Sequence, residues 1–160
     1  MKKSVVVYYS FEGSTKKIAE LIAKTTNSDI IVIEPLKELK SKGFSKYIWG
    51  GKDVVMGKKP PIKSIDTNFN DYDLIFLGSP TWVSTYAPPV KTFIDELKVS
   101  GKDIAYFYSH EGGHKKVVEN TALAIEPKNN LIAFIDCMNV KTDYAKLEQN
   151  VMDWAEELTK

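Results

Sequence analysis

Small hydroxyl-bearing residues follow the first apolar run of the chain and lead directly into a helical pattern. Residues 4–9 are β-branched and aromatic, which predicts a buried strand. Residues 10–15 read SFEGST, and residues 14–26 then carry apolar side chains at helical spacing. The unpaired amides and the dipole of a helix N-terminus attract anions, and Gly13 allows a close backbone approach. The segment therefore fits a phosphate site, with a capped helix after a turn as the alternative.

Two other kinds of phosphate loop are excluded. Gly13 is the only glycine of the first loop, so the G-x-G-x-x-G dinucleotide motif is absent. Gly51 and Gly57 have five residues between them rather than four, and Lys59 stands where a magnesium-binding serine or threonine is needed. The chain is therefore not predicted to be a nucleoside triphosphatase.

Two further loops carry residues suited to a flat ligand. Residues 78–89 hold Trp82 and Tyr86 between prolines, and an aromatic ring there could stack on a planar group or pack on a neighbouring helix. Residues 109–114 read SHEGGH, where paired glycines let backbone amides approach a ligand edge. The two histidines flank a glycine turn rather than sharing one helix face, so no metal site is predicted. Either a polar contact to the ligand or simple exposure would account for them.

The elements that would position these loops alternate along the chain. Helices are predicted at 14–26, 88–99, 115–125 and 143–158, and strands at 4–9, 29–36, 73–78, 104–108 and 131–136. Such alternation predicts one parallel sheet with helices on both faces, which binds ligands beyond the carboxyl ends of its strands. Residues 37–65 are too long for a simple crossover, and we expect a helix followed by an ordered excursion.

Composition limits the function classes. The chain has 160 residues, which predicts one domain spanning 1–160, and its net charge of +1 gives no reason to expect nucleic-acid binding. All 22 basic residues are lysine, whereas base and phosphate recognition favours arginine. Cys137 is the only cysteine, so we expect a small core residue, a reducing compartment and a cytoplasmic protein. The apolar run near the N-terminus is too short for a signal peptide or a membrane span.

Taken together, the three loops and the element order resemble the flavodoxin family, short-chain type, over essentially the whole chain. The resemblance implies an α/β, three-layer, doubly wound five-stranded parallel sheet with strand order 2-1-3-4-5 and bound FMN. It implies phosphate contacts from the first loop and ring contacts from the other two. The residues implied to bind FMN are Ser10, Glu12, Gly13, Ser14, Thr15, Pro80, Thr81, Trp82, Val83, Ser109, His110, Gly112 and Gly113.

Three departures from the family pattern shape the expected function. Glu12 replaces a threonine and is expected to face solvent, because a carboxylate would repel phosphate. Val83-Ser84 stand where many flavodoxins have a glycine whose peptide flips when the flavin takes one electron. A flip to positive φ costs a non-glycine residue about 1–2 kcal/mol, so we expect weaker stabilisation of the one-electron-reduced flavin. The net charge of +1 also differs from the acidic surface that steers many electron carriers to basic partners.

Three functions are compatible with these features. The leading one is an FMN-binding electron-transfer protein that works with redox partner proteins. The second is an FMN-dependent oxidoreductase that passes electrons from NAD(P)H to a quinone or another acceptor. The third is a non-enzymatic module that binds a phosphate ligand without flavin. A phospho-signalling receiver is disfavoured, because Tyr8, Tyr9 and Ser10 stand where acidic residues would hold magnesium.

Overall fold

A parallel sheet forms the centre of the protein. The computed structural model describes residues 1–37, 57–112 and 115–160. The strands are β1 (Ser4–Tyr8), β2 (Asp29–Val32), β3 (Leu74–Trp82), β4 (Thr85–Tyr86), β5 (Asp103–His110) and β6 (Asn130–Met138). The helices are α1 (Ser14–Thr26), α2 (Pro88–Glu96), α3 (Val117–Ile125) and α4 (Val140–Thr159), with a 3-10 turn at Phe69–Asp71.

The strand order confirms the predicted topology. The strands of the parallel sheet lie in the order β2-β1-β3-β5-β6, which is the expected 2-1-3-4-5 arrangement once the short β4 is set aside. β4 pairs antiparallel with the end of β3, with Thr81 opposite Tyr86 and Trp82 opposite Thr85. The third strand therefore runs beyond the predicted range of 73–78 and folds back on itself as a hairpin. The ligand-facing loop after β3 is thus a piece of regular structure.

Alternate side chains of the strands feed two separate cores. Val5 and Val7 face the side covered by α2 and α3, whereas Val6 and Tyr8 face the side covered by α1 and α4. A strand buried on both faces reads as a continuous apolar run, which is why β1 has no polar alternation. At the centre, Gly78 leaves room for the Phe107 ring, which a Cβ at position 78 would overlap.

Element boundaries differ from the predictions where local chemistry intervenes. The predicted strand 29–36 ends at Val32, opposite the last residue of β1, and Pro35 forms an isolated antiparallel bridge with Ile62 instead. The last helix begins at Val140 rather than 143, and its helical backbone is interrupted at Asp143, where φ is −116°. The strand at 131–136 and the helix at 88–99 differ from β6 and α2 by only a few residues.

The predicted excursion at 37–65 is described only in part. Residues 38–56, including the expected helix and its aromatic side chains, lie outside the described residues. The returning segment lies along α2, where the Pro60 carbonyl accepts a 2.8 Å hydrogen bond from Thr92 Oγ1. In the described ranges, no helix combines the length and hydropathy needed to cross a membrane. Within those same ranges, His, Cys, Asp and Glu side chains form no cluster of three or more suited to a metal.

Candidate functional site

The first loop joins β1 to α1 through a glycine. Gly13 precedes α1 with φ +94°, and its N–H donates to Ser10 Oγ at 3.1 Å. Among the described residues, a Cβ at Gly13 would meet nothing within 4 Å, so the backbone angle rather than lack of space favours glycine here. In this part of the structure, no side chain caps the start of α1, which suits an anion at this end.

A buried hydrogen bond ties the first loop to the third. Thr15 Oγ1 and Ser109 Oγ lie 2.8 Å apart, and both residues are buried. The two residues are 94 positions apart in sequence, and the parallel arrangement of β1, β3 and β5 brings them together. Two of the predicted site residues are therefore in direct contact, although each hydroxyl is already engaged by the other.

Glu12 lies at the rim of this loop with a basic partner. Its carboxylate accepts a 3.0 Å hydrogen bond from Lys141 Nζ in the first turn of α4, and both side chains are partly exposed. The expected solvent-facing orientation therefore fits the structure, and Lys141 offsets the negative charge close to the start of α1. Lys141 was not predicted, because only the fold brings α4 next to the first loop.

Trp82 connects the second loop to the first. Its ring meets Tyr9 edge-on at 6.1 Å and Phe11 edge-on at 5.8 Å, measured between ring centroids. These aromatic contacts come from the segment between β1 and α1, and Trp82 also packs against the core cluster that includes residues of α2 and α3. The half-buried ring of Trp82 thus forms an aromatic wall beside the phosphate-type loop. Its stacking on a ligand remains a prediction.

The hairpin after Trp82 has an unusual turn. Val83 and Ser84, the two residues between β3 and β4, have φ values of +50° and +58°. Positive φ at both central residues is the pattern of a type I′ hairpin turn, which normally uses asparagine and glycine. Asn120 in α3 donates a 2.9 Å hydrogen bond from Nδ2 to the Ser84 carbonyl and holds the turn in place. The sequence carries no Asn-Gly signal, so neither this turn nor the role of Asn120 was predicted.

The base of the hairpin is closed by a buried serine. Ser79 Oγ donates to the Pro80 carbonyl at 2.8 Å and accepts the Ala87 N–H at 2.9 Å. These bonds fix the two ends of the segment that contains the predicted site residues Pro80, Thr81, Trp82 and Val83. Beside the hairpin lies a cleft of about 400 Å³, whose lining includes Val83 of the turn, Lys91 of α2 and Asn120 of α3.

The third loop starts from a histidine with both ring nitrogens engaged. His110 Nε2 lies 2.7 Å from Asp136 Oδ1 on β6, and His110 Nδ1 accepts the Gly112 N–H at 3.0 Å. The Tyr108 ring stacks on His110 at 5.9 Å, and burial together with nearby Asp136 raises the pKa of Tyr108 to about 12. His110 is also buried, so for this histidine the alternative of simple exposure is wrong. Gly113 and His114 lie outside the described residues.

The three loops lie together at the carboxyl edge of the sheet and form one candidate site. It offers helix-start amides for an anion, an aromatic wall and a glycine-containing turn. Cys137 adds no nucleophile, because it is fully buried and burial raises the pKa of its thiol to about 12. The arrangement suits holding a planar, phosphate-bearing molecule.

Known proteins resemble this chain in both sequence and fold. A crystal structure of a flavoprotein from Lactobacillus acidophilus NCFM in complex with FMN is 27% identical, with a TM-score of 0.77, covering 91% of this chain and 98% of that one. A flavoprotein from Bacteroides eggerthii DSM 20697 shares the fold at 23% identity and a TM-score of 0.81, covering 98% and 97%.

A curated relative and a family profile complete the comparison. NAD(P)H dehydrogenase (quinone) 3 of Rhizobium meliloti (strain 1021) is 26% identical over 133 residues, which is 76% of this chain. The match spans only 60% of that relative's length. The profile of the family described as flavodoxin matches residues 3–158. Because this match runs through all the strands and helices that build the site, the chain belongs to the flavodoxin family.

Proposed function

We propose that the protein binds FMN noncovalently at the carboxyl edge of its sheet and transfers electrons through it. The observation that carries this proposal is the junction of the three loops. The Thr15–Ser109 hydrogen bond joins the first loop to the third, and the Trp82–Phe11 contact joins the second to the first. A phosphate at the start of α1 and a flat ring near Trp82 would therefore belong to one molecule.

Different residues would bind the phosphate and the ring system of FMN. The amides that open α1, together with Ser10 and Ser14, would hold the phosphate, and the lack of a side-chain cap on that helix in the described ranges supports this role. Trp82 and the turn after His110 would flank the ring system and exclude water from its faces. When bound, FMN supplies the redox chemistry, while the protein supplies binding and orientation. The FMN complex of the Lactobacillus acidophilus flavoprotein supports this assignment.

A second candidate is an FMN-dependent oxidoreductase that takes electrons from NAD(P)H and passes them to a quinone or another acceptor. The name of the Rhizobium meliloti relative favours it, although this chain spans only 60% of that protein. The net charge of +1 also favours it over a carrier that docks by strong charge attraction. Redox partner proteins would then be replaced by NAD(P)H. In either case, a lone buried cysteine suits a reducing compartment such as the cytoplasm.

Flavin titration tests the proposal directly. The purified protein is mixed with FMN or riboflavin, and flavin absorbance is followed through gel filtration. We expect FMN to elute with the protein and riboflavin to bind at least about tenfold more weakly, because it lacks the phosphate that charge-assisted bonds would hold. Retention of neither flavin would refute the proposal and favour a phosphate-binding module.

Turnover separates the two redox functions. The FMN-loaded protein is incubated with NADH or NADPH and a soluble quinone, and nicotinamide absorbance is followed. Steady oxidation of the nicotinamide would favour the oxidoreductase. A flavin that is reduced only after a separate reductase is added would favour the electron carrier.

A further inference from the structure

His110 occupies a junction between the third loop and its surroundings. It is the last residue of β5, and its carbonyl accepts the Asn139 N–H at 2.8 Å from the connection between β6 and α4. The preceding residue, Ser109, bonds to Thr15 of the first loop. Any change in the conformation of His110 therefore affects the turn that follows β5.

The hydrogen bonds of the ring determine which nitrogen carries the proton. A backbone N–H can only donate, so the 3.0 Å bond from Gly112 requires a lone pair on His110 Nδ1. The proton of the neutral ring must then lie on Nε2, where it is donated to Asp136 Oδ1 at 2.7 Å. A carboxylate that fixes the tautomer of a histidine in this way also fixes the orientation of its ring.

The bond from Gly112 to the His110 ring closes a small turn. A side-chain acceptor that binds the N–H two residues later imitates an Asx turn, which asparagine and aspartate commonly form. Gly112 has φ +139°, a region that favours glycine. A glycine without this bond would sample many other conformations, so the bond restricts the turn to one of them. Fixing such a turn before a ligand arrives removes an ordering cost from binding.

We propose that His110 is a positioning residue of the FMN site, held by Asp136 with its proton on Nε2 so that it accepts the Gly112 N–H and fixes the turn after β5. This inference rests on the proposed function, because it assigns the turn to FMN. His110 acts through Gly112 and the loop, and needs no contact with the cofactor.

Two substitutions at His110 separate the turn from the rest of the residue. In His110→Asn, the side-chain oxygen can still accept the Gly112 N–H, although the contact with Asp136 is lost. His110→Leu loses both hydrogen bonds but still fills space beside the Tyr108 ring. We expect His110→Leu to bind FMN about three- to tenfold more weakly than the wild type, the effect of one hydrogen bond, and His110→Asn to bind within about twofold.

A measurement without FMN tests the turn itself. Hydrogen exchange of the Gly112 amide, followed by NMR in the flavin-free protein, should be slow in the wild type and in His110→Asn but fast in His110→Leu. Asp136→Ala allows the ring to place its proton on Nδ1, so Gly112 should lose part of its protection. Asp143→Ala removes a different carboxylate, one paired with Lys146 at the protein surface, and should change neither exchange nor FMN affinity.

The outcomes distinguish this inference from the proposed function. Equal FMN affinity in His110→Leu and the wild type would overturn the inference, and so would equal weakening in His110→Asn and His110→Leu. Nitrogen chemical shifts that place the ring proton on Nδ1 would also overturn it. Failure of the wild type itself to bind FMN would refute the proposed function, and with it the role of His110, even if the Gly112 exchange pattern were as expected.

Discussion

The turn at Val83-Ser84 stores backbone strain that a single substitution should release. Val83 has φ +50° and is 58% exposed at the tip of the hairpin. The left-handed region costs an L-residue about 1–2 kcal/mol, and a β-branched side chain tolerates it poorly. We expected positive φ at this position only after a peptide flip on flavin reduction, whereas Val83 already has it in the structure, so the cost is not added by reduction.

Val83→Gly should therefore stabilise the protein. Glycine removes the strain but adds about 0.5–1 kcal/mol of chain entropy in the unfolded state. Little apolar burial is lost, because the side chain is largely exposed. The net gain lies between about 0 and 1.5 kcal/mol, with a midpoint of roughly 0.75 kcal/mol, which corresponds to a rise of about 1.5–3 °C in Tm for a chain of this size. Urea denaturation should show a higher midpoint with an unchanged slope.

Val32→Gly is the matched control. Val32 lies on β2, is 45% exposed and is not among the described residues with positive φ. Glycine there relieves no strain and should destabilise the protein by roughly 0.5–1 kcal/mol or more through chain entropy. If both substitutions destabilise the protein by similar amounts, Val83 is not strained and the reasoning fails.

Three individual residues lead to further expected outcomes. Gly78→Ala should destabilise the protein by about 1–3 kcal/mol, because the new Cβ would overlap the Phe107 ring in the core; an unchanged urea midpoint would contradict this. Glu12→Gln should leave stability within about 1 kcal/mol, since the pair with Lys141 is exposed, but should tighten FMN binding by removing a carboxylate near the phosphate; weaker binding in a fluorescence titration would count against the site. Cys137, whose pKa is raised to about 12 by burial, keeps its proton after the unfolded thiol has lost it, so stability should fall as the pH rises above about 9. Cys137→Ala should reduce that fall in urea titrations between about pH 8 and 10.5, a window that brackets the unfolded thiol, and an identical pH dependence would refute the assignment.

Much of the fold could be predicted because its signals are local. Continuous apolar runs and helical periodicity indicate the strands and helices, and their alternation leads to the parallel sheet and its strand order. The first loop is also recognisable locally, since Gly13 and its hydroxyl neighbours directly precede α1. The positions of element ends are less predictable. β2 ends at Val32, where its partner β1 also ends, and β3 continues into a hairpin whose turn lacks the glycine that normally marks it.

Local sequence patterns specify the sheet, the order of its strands and the three loops that face one edge, because hydrophobic period and turn residues act over a few positions. The way those loops are joined and held depends instead on contacts between distant parts of the chain. The partners of Thr15, Ser84, His110 and Glu12 lie 94, 36, 26 and 129 residues away in the chain. Such pairs form because the parallel sheet brings the carboxyl ends of its strands together. A pattern within a short window of sequence cannot indicate which distant residues will meet there.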